Sequence, residues 1–109
     1  MVGTGGPAAG TISVDEETGR TVVVLAGEID VALRPEASQA LSTALRRDLP
    51  VVVDASGVTF ADSSGIAFLI QFRALGRDEG LDVTFRSLPP AIVDVLEILG
   101  VRDEFACAA

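Results

Sequence analysis

The stretch from Val51 to Ile70, VVVDASGVTFADSSGIAFLI, constrains the fold of this chain more than any other. Val51, Val52 and Val53 follow Pro50 as a β-branched run ending in Asp54 and Ala55, the length and type of a strand buried on both faces of a sheet. Ser56 and Gly57 break the run, and Val58, Thr59 and Phe60 form a second apolar patch. Asp62-Ser63-Ser64-Gly65 then precedes the apolar Ile66, Ala67, Phe68, Leu69 and Ile70, which reads as a helix start. Asp62, or Ser63 if the boundary lies one residue later, accepts a hydrogen bond from an orphan N–H of the first turn. A strand therefore delivers two small hydroxyls to a helix N-terminus, where a phosphoryl group on a side chain is tolerated.

The rest of the chain builds a sheet and helices around that unit. Thr11–Val14 and Arg20–Ala26 read as two strands joined by the polar Asp15-Glu16-Glu17-Thr18-Gly19, with Gly19 supplying positive φ. The second of them is too continuously apolar to have a wet face and is expected to be interior. Gly27-Glu28-Ile29-Asp30 ends it as a turn in which Asp30 caps local amides. Ala37, Ala40, Leu41, Ala44 and Leu45 give an apolar stripe at helical spacing over 35–48, with Pro35 in the first turn and Arg46 and Arg47 at a solvated end. A second helix runs over 63–77, with Ile66, Leu69, Ile70 and Ala74 inward and Phe68, Phe72 and Leu75 widening the apolar surface, some of it for a partner. Its polar residues Arg73, Arg77, Asp78 and Glu79 are expected to face solvent. A strand over 82–87 and a last helix after Pro89 and Pro90 follow; that helix carries Ile92, Val95, Leu96 and Leu99 and stops at Gly100. Val101 and Phe105 are expected to fold back over the sheet. The result is an α/β fold, a mixed β-sheet packed with α-helices, with Asp30, Asp62 and Ser63 at the carboxyl ends of neighbouring strands.

A chain of 109 residues with 49% hydrophobic content suits one domain and one core. Residues 1–10, rich in glycine and without the basic start and apolar middle of a signal peptide, read as a disordered tail ahead of a domain over 11–109. The net charge of -8 argues against a nucleic-acid or membrane partner. All eight basic residues are Arg, and the chain has no Lys or His, so a Ser-His-Asp triad, a Ser-Lys pair, a Schiff base and a histidine metal site are excluded within it. A serine hydrolase built on Ser63 further lacks the glycine of a nucleophile elbow. No catalytic residue, cofactor or metal is expected. The single Cys107 forms no intramolecular disulfide, and with no apolar run of membrane-spanning length the expected location is the cytoplasm.

Two motifs in register carry a family resemblance. The apolar strand with Asp54 near its end, the Ser56-Gly57-Val58-Thr59-Phe60 connection and Asp62-Ser63-Ser64-Gly65 leading into an apolar helix resemble the signature of the STAS domain of bacterial anti-sigma factor antagonists. Gly27-Glu28-Ile29-Asp30 matches a second family feature upstream, and the resemblance covers about Thr11 to Phe105. It implies a single STAS-like domain that is not an enzyme. It also implies phosphorylation on Ser63, and a partner surface at Asp30, Asp62, Ser63, Ser64 and Gly65. The implied partners are an anti-sigma factor with serine kinase activity, from which the sigma factor is released, and a serine phosphatase that resets the switch. The alternative is a constitutive STAS scaffold or transport-accessory subunit in which Ser63 is only a helix cap.

Overall fold

The computed structural model describes residues 10–105, so the expectations for residues 1–9 and for Cys107 lie outside the described residues. Gly10 is placed: a side chain there would collide with the Glu28 carbonyl, so the chain is already packed one residue before the first strand.

Strand β1 (Thr11–Glu17) and strand β2 (Arg20–Ile29) form an antiparallel hairpin in which Glu17 pairs with Arg20, leaving Thr18 and Gly19 as a two-residue turn with Gly19 at φ 83°. The polar run from Asp15 to Glu17, expected as connection, is thus strand; charged residues stand on an edge strand without losing the ladder. Helix α1 (Arg34–Arg47) leads to strand β3 (Val51–Ala61), helix α2 (Ser63–Glu79) to strand β4 (Val83–Arg86), and helix α3 (Pro90–Ile98) comes last. The sheet order is β1-β2-β3-β4, with β3 parallel to both β2 and β4, and β2 is interior as its apolar run demands.

Ser56 and Gly57 do not end the central strand. β3 continues to Ala61 because register shifts against β2, between Val24 and Ala26 and again between Gly27 and Glu28, absorb the extra residues as bulges. Asp54 stabilises the first irregularity: its Oδ1 accepts the Ser56 N–H at 3.0 Å, and Arg86 of β4 lies 3.5 Å from Oδ2. The hydrogen bonds from the Ser56 N–H and hydroxyl, with the Arg86 charge beside them, hold the Asp54 carboxyl below the usual carboxylate range despite its burial.

One core forms between the sheet and the helices. Val23, Leu25, Val51, Val53 and Phe85 meet Ala37, Ala40 and Ala44 of α1, Leu69 and Phe72 of α2 and Leu96 of α3. Phe105 closes it, its ring centroid 4.7 Å from that of Phe85, as the fold-back of the C-terminal segment predicts. Several sequence expectations change. Phe68 and Phe72 are buried rather than left for a partner, whereas Leu45, Val95 and Leu99 are exposed and Thr43 takes an inward place on α1. Arg47 is not a solvated end: it donates to the Arg20 and Glu17 carbonyls and, at 2.8 Å, to Oγ1 of the fully buried Thr21, clamping α1 to the hairpin. Arg73 likewise turns in to pair with Glu104 at 2.6 Å, leaving its side chain only 14% exposed. Both arginines place guanidinium nitrogens against acceptors from distant segments.

Candidate functional site at the ends of the parallel strands

The parallel pairing of β2 with β3 ends at Ile29 opposite Ala61. Adjacent strands lie about 4.8 Å apart, so the next residues, Asp30 and Asp62, leave the sheet side by side. The Asp62 N–H donates to the Ile29 carbonyl at 3.2 Å and ties the two exits together. Each aspartate caps a helical turn. Asp30 Oδ1 accepts from the Ala32 N–H at 3.0 Å and opens a 3₁₀ turn, Val31–Leu33, that runs into α1. Asp62 is the N-cap of α2, with extended backbone and Oδ1 accepting from Ser64 N–H at 2.8 Å and Gly65 N–H at 3.1 Å. Of the two boundaries open in the sequence, the structure takes the earlier one.

With the capping task done by Asp62, Ser63 is released from it. Ser63 is the first helical residue and is exposed, whereas Ser64 is half-buried and Gly65 is buried. Consecutive helical residues point about 100° apart, which separates the two hydroxyls: one outward, one toward α1. Gly65 is demanded by close approach, since a Cβ there would stand 2.5 Å from the Ile29 carbonyl oxygen and 2.9 Å from Ala61 Cβ. The α2 terminus is thereby pressed onto both strand ends. All five sequence-predicted residues are brought to this corner by the paired strand exits, with Asp30 and Asp62 half-buried there.

Sequence reasoning missed the basic residue nearby. No arginine lies within nine residues of Ser63 in the chain, but Arg34 lines a cleft of about 310 Å³ between α1 and α2 together with Ser38, Ser64 and Gln71. The available signal was its position: a cation at the first residue of a helix, directly before Pro35, opposes the helix dipole. On the other flank, Phe60 is 58% exposed beside a small apolar groove lined by Val58, Ile66, Pro89, Ile92 and Val95. The exposed aromatic next to the site is therefore Phe60 of β3, not one of the α2 phenylalanines. Among the described residues no group of His, Cys, Asp and Glu is placed to hold a metal ion, and no helix is long and apolar enough to cross a membrane.

The arrangement of sheet and helices that builds this corner is shared with known proteins. An anti-sigma factor antagonist from Mycobacterium paratuberculosis is 27% identical, with a TM-score of 0.70 over 89% of this chain and 83% of that one. The Bacillus cell fate determinant SpoIIAA, in its phosphorylated form, is 17% identical with a TM-score of 0.71 over 91% of this chain and 92% of that one. SLC26A9 is 16% identical with a TM-score of 0.59; 79% of this chain aligns there with 17% of the other. The last two likenesses are of fold alone. No curated protein matches the chain. The family described as Mlab, STAS domain, matches residues 12–105 and so spans both motifs and every element from β1 to Phe105: the chain belongs to the STAS domain family.

Proposed function

We propose that this protein is an anti-sigma factor antagonist whose binding is switched off by phosphorylation of Ser63. The observation that carries the reading is the exposed Ser63 hydroxyl at the start of α2, freed from capping by Asp62 and flanked by the Asp30 exit. The unphosphorylated corner, with Asp30, Asp62, Ser63, Ser64 and Gly65, binds an anti-sigma factor that is also a serine kinase, and the sigma factor is released. That kinase transfers the terminal phosphoryl group of ATP to Ser63 Oγ, the hydroxyl proton leaving to a base of the kinase; a serine phosphatase reverses the state by hydrolysis. The likeness to the mycobacterial antagonist supports the partner class, and the solved phosphorylated form of SpoIIAA supports a phosphate carried on this fold. The chain itself contributes a receiving hydroxyl and has no His or Lys, and it acts in the cytoplasm, where sigma factors act.

Desolvation of the phosphate weakens the complex. Phosphorylation adds about -1.5 to -2 charges beside two aspartates. In the free protein water surrounds that anion; against a docked surface shaped for a neutral hydroxyl it loses water, and an unpaired desolvated charge costs several kcal/mol. A loss of ~3 kcal/mol weakens affinity more than a hundredfold. Titration calorimetry of the phosphorylated and unphosphorylated protein against the anti-sigma factor recovered by pulldown tests this, with phosphopeptide mapping to locate the modification. Equal dissociation constants, or phosphate on Ser64, Ser56 or Thr59, would end the reading. The fold likeness to SLC26A9 favours a second reading, a constitutive or transport-accessory subunit. Recovery of transporter components instead of a kinase in the same pulldown would establish it.

A further inference from the structure

Six of the eight arginines in this acidic chain pair with carboxylates; among the described residues Arg34 and Arg46 form no ion pair. Arg46 stands in the last turn of α1, where the helix dipole favours a cation. Arg34 stands at the opposite end, as the first residue of the same helix, where the dipole opposes it. It is exposed, and the cleft it lines brings the first turns of α1 and α2 together: Arg34, Ala37 and Ser38 on one side, Ser64, Ala67 and Phe68 on the other. The first turns of two helices, already capped by Asp62 at α2 and by Asp30 at the 3₁₀ turn leading into α1, and an unpaired guanidinium thus meet at one opening. Folding gains no ion pair from Arg34, whereas an anion arriving at the opening gains one with its guanidinium.

The geometry points to the phosphoryl group on Ser63 as that anion, held within the same chain by Arg34 across the mouth of the α1/α2 cleft. This rests on Ser63 being the phosphoacceptor. Ser63 directly precedes Ser64, which already lines the cleft, and its side chain is exposed at the rim beside it. A tethered group acts at an effective concentration in the millimolar range, so one exposed pair is populated without outside help. Guanidinium offers two parallel N–H donors to phosphate oxygens, and Ser38 and Gln71 stand in the same cleft as further donors. Asp30 and Asp62 oppose the new charge from the strand ends, which leaves Arg34 as its counter-charge in the cleft. Phosphorylation then does two things at once: it places a charge on the docking corner, and it turns Arg34 onto its own chain and away from acidic groups of a partner.

Protein carrying phosphoserine at position 63, installed during translation by an encoded phosphoserine, tests this without kinase or partner. In ³¹P NMR the second phosphate ionisation is expected below its ordinary value of about 6. It should rise by about one unit in Arg34→Gln, keep most of its depression in Arg34→Lys, and stay put in Arg46→Gln. In ¹⁵N spectra the Arg34 Nε resonance is expected to move on phosphorylation. An unchanged phosphate titration in folded Arg34→Gln, or an equal rise in Arg46→Gln, overturns the assignment. Since the phosphate is installed, that outcome is separate from whether a kinase modifies Ser63, which phosphopeptide mapping decides.

Discussion

Gly65→Ala sets two effects of opposite sign against each other. In an ordinary helix interior the change stabilises by about 1 kcal/mol, through helix propensity. Here the added methyl would lie 2.5 Å from the Ile29 carbonyl oxygen, 2.9 Å from Ala61 Cβ and 3.2 Å from Ile29 Cβ. None of these can swing aside, because the oxygen is backbone and Ile29 is 1% exposed in the core. To restore even a 3.0 Å contact with the oxygen, α2 has to retreat by about half an ångström, which strains the Asp62 cap and the Asp62 N–H bond to Ile29. Overpacking of this kind costs roughly 1–3 kcal/mol, and with backbone as the obstacle the upper part of that range applies. The net expectation is a loss of about 1–2 kcal/mol after the propensity gain. That is a fall in Tm of roughly 4–12 °C at this domain size. Thermal and urea denaturation followed by circular dichroism measure it, with Ala67→Gly at the exposed neighbouring turn as the propensity reference. A Gly65→Ala protein as stable as wild type, or more stable, would refute the close approach of α2 to the strand ends.

Ser63→Ala should change stability by no more than about 0.5 kcal/mol, because Asp62 and not Ser63 holds the cap; it should bind the partner with or without ATP, and calorimetry showing lost binding with an unchanged dichroism spectrum would contradict this. Arg47→Ala removes the donors to two carbonyls and to buried Thr21, for an expected loss of about 1–3 kcal/mol in chemical denaturation. The Asp54 carboxyl is held below its ordinary range in the folded state, first by the Ser56 hydrogen bonds. Its contribution to stability is therefore full above the unfolded-state pKa of about 3.9 and is lost as pH falls through the lower folded value. Asp54→Asn should lower stability at pH 7 and flatten the acid limb of the pH profile below about pH 4, and an unaltered acid limb would show that Asp54 is not differentially bound.

The candidate site was largely readable in the chain because its parts are local. A helix cap is satisfied within three residues, so Asp62, Ser63, Ser64 and Gly65 declare it together, and Asp30 does the same for the turn after β2. Arg34 was not readable as a neighbour of Ser64, since 30 positions of chain separate them and only the packing of α1 beside α2 joins them. The continuity of β3 was hidden for another reason. Ser56 and Gly57 have turn chemistry, and a bulge uses the same residues; which one forms depends on whether a partner strand runs alongside, as β2 does here.

Periodicity and propensity along the chain determined the number, order and type of the elements, because hydrophobic spacing and capping act over a few residues. Tertiary structure alone decided which of the apolar residues face inward where a stripe is wider than one face, burying Phe68 and Phe72 and leaving Phe60 and Leu99 outside. It also decided which arginines are engaged: Arg47 and Arg73 turn inward to acceptors on other elements, and Arg34 stays without one beside Ser64. The physical reason is range. A guanidinium on a long side chain finds its partner by proximity in space, and that proximity exists only once helices and sheet have closed on a common core.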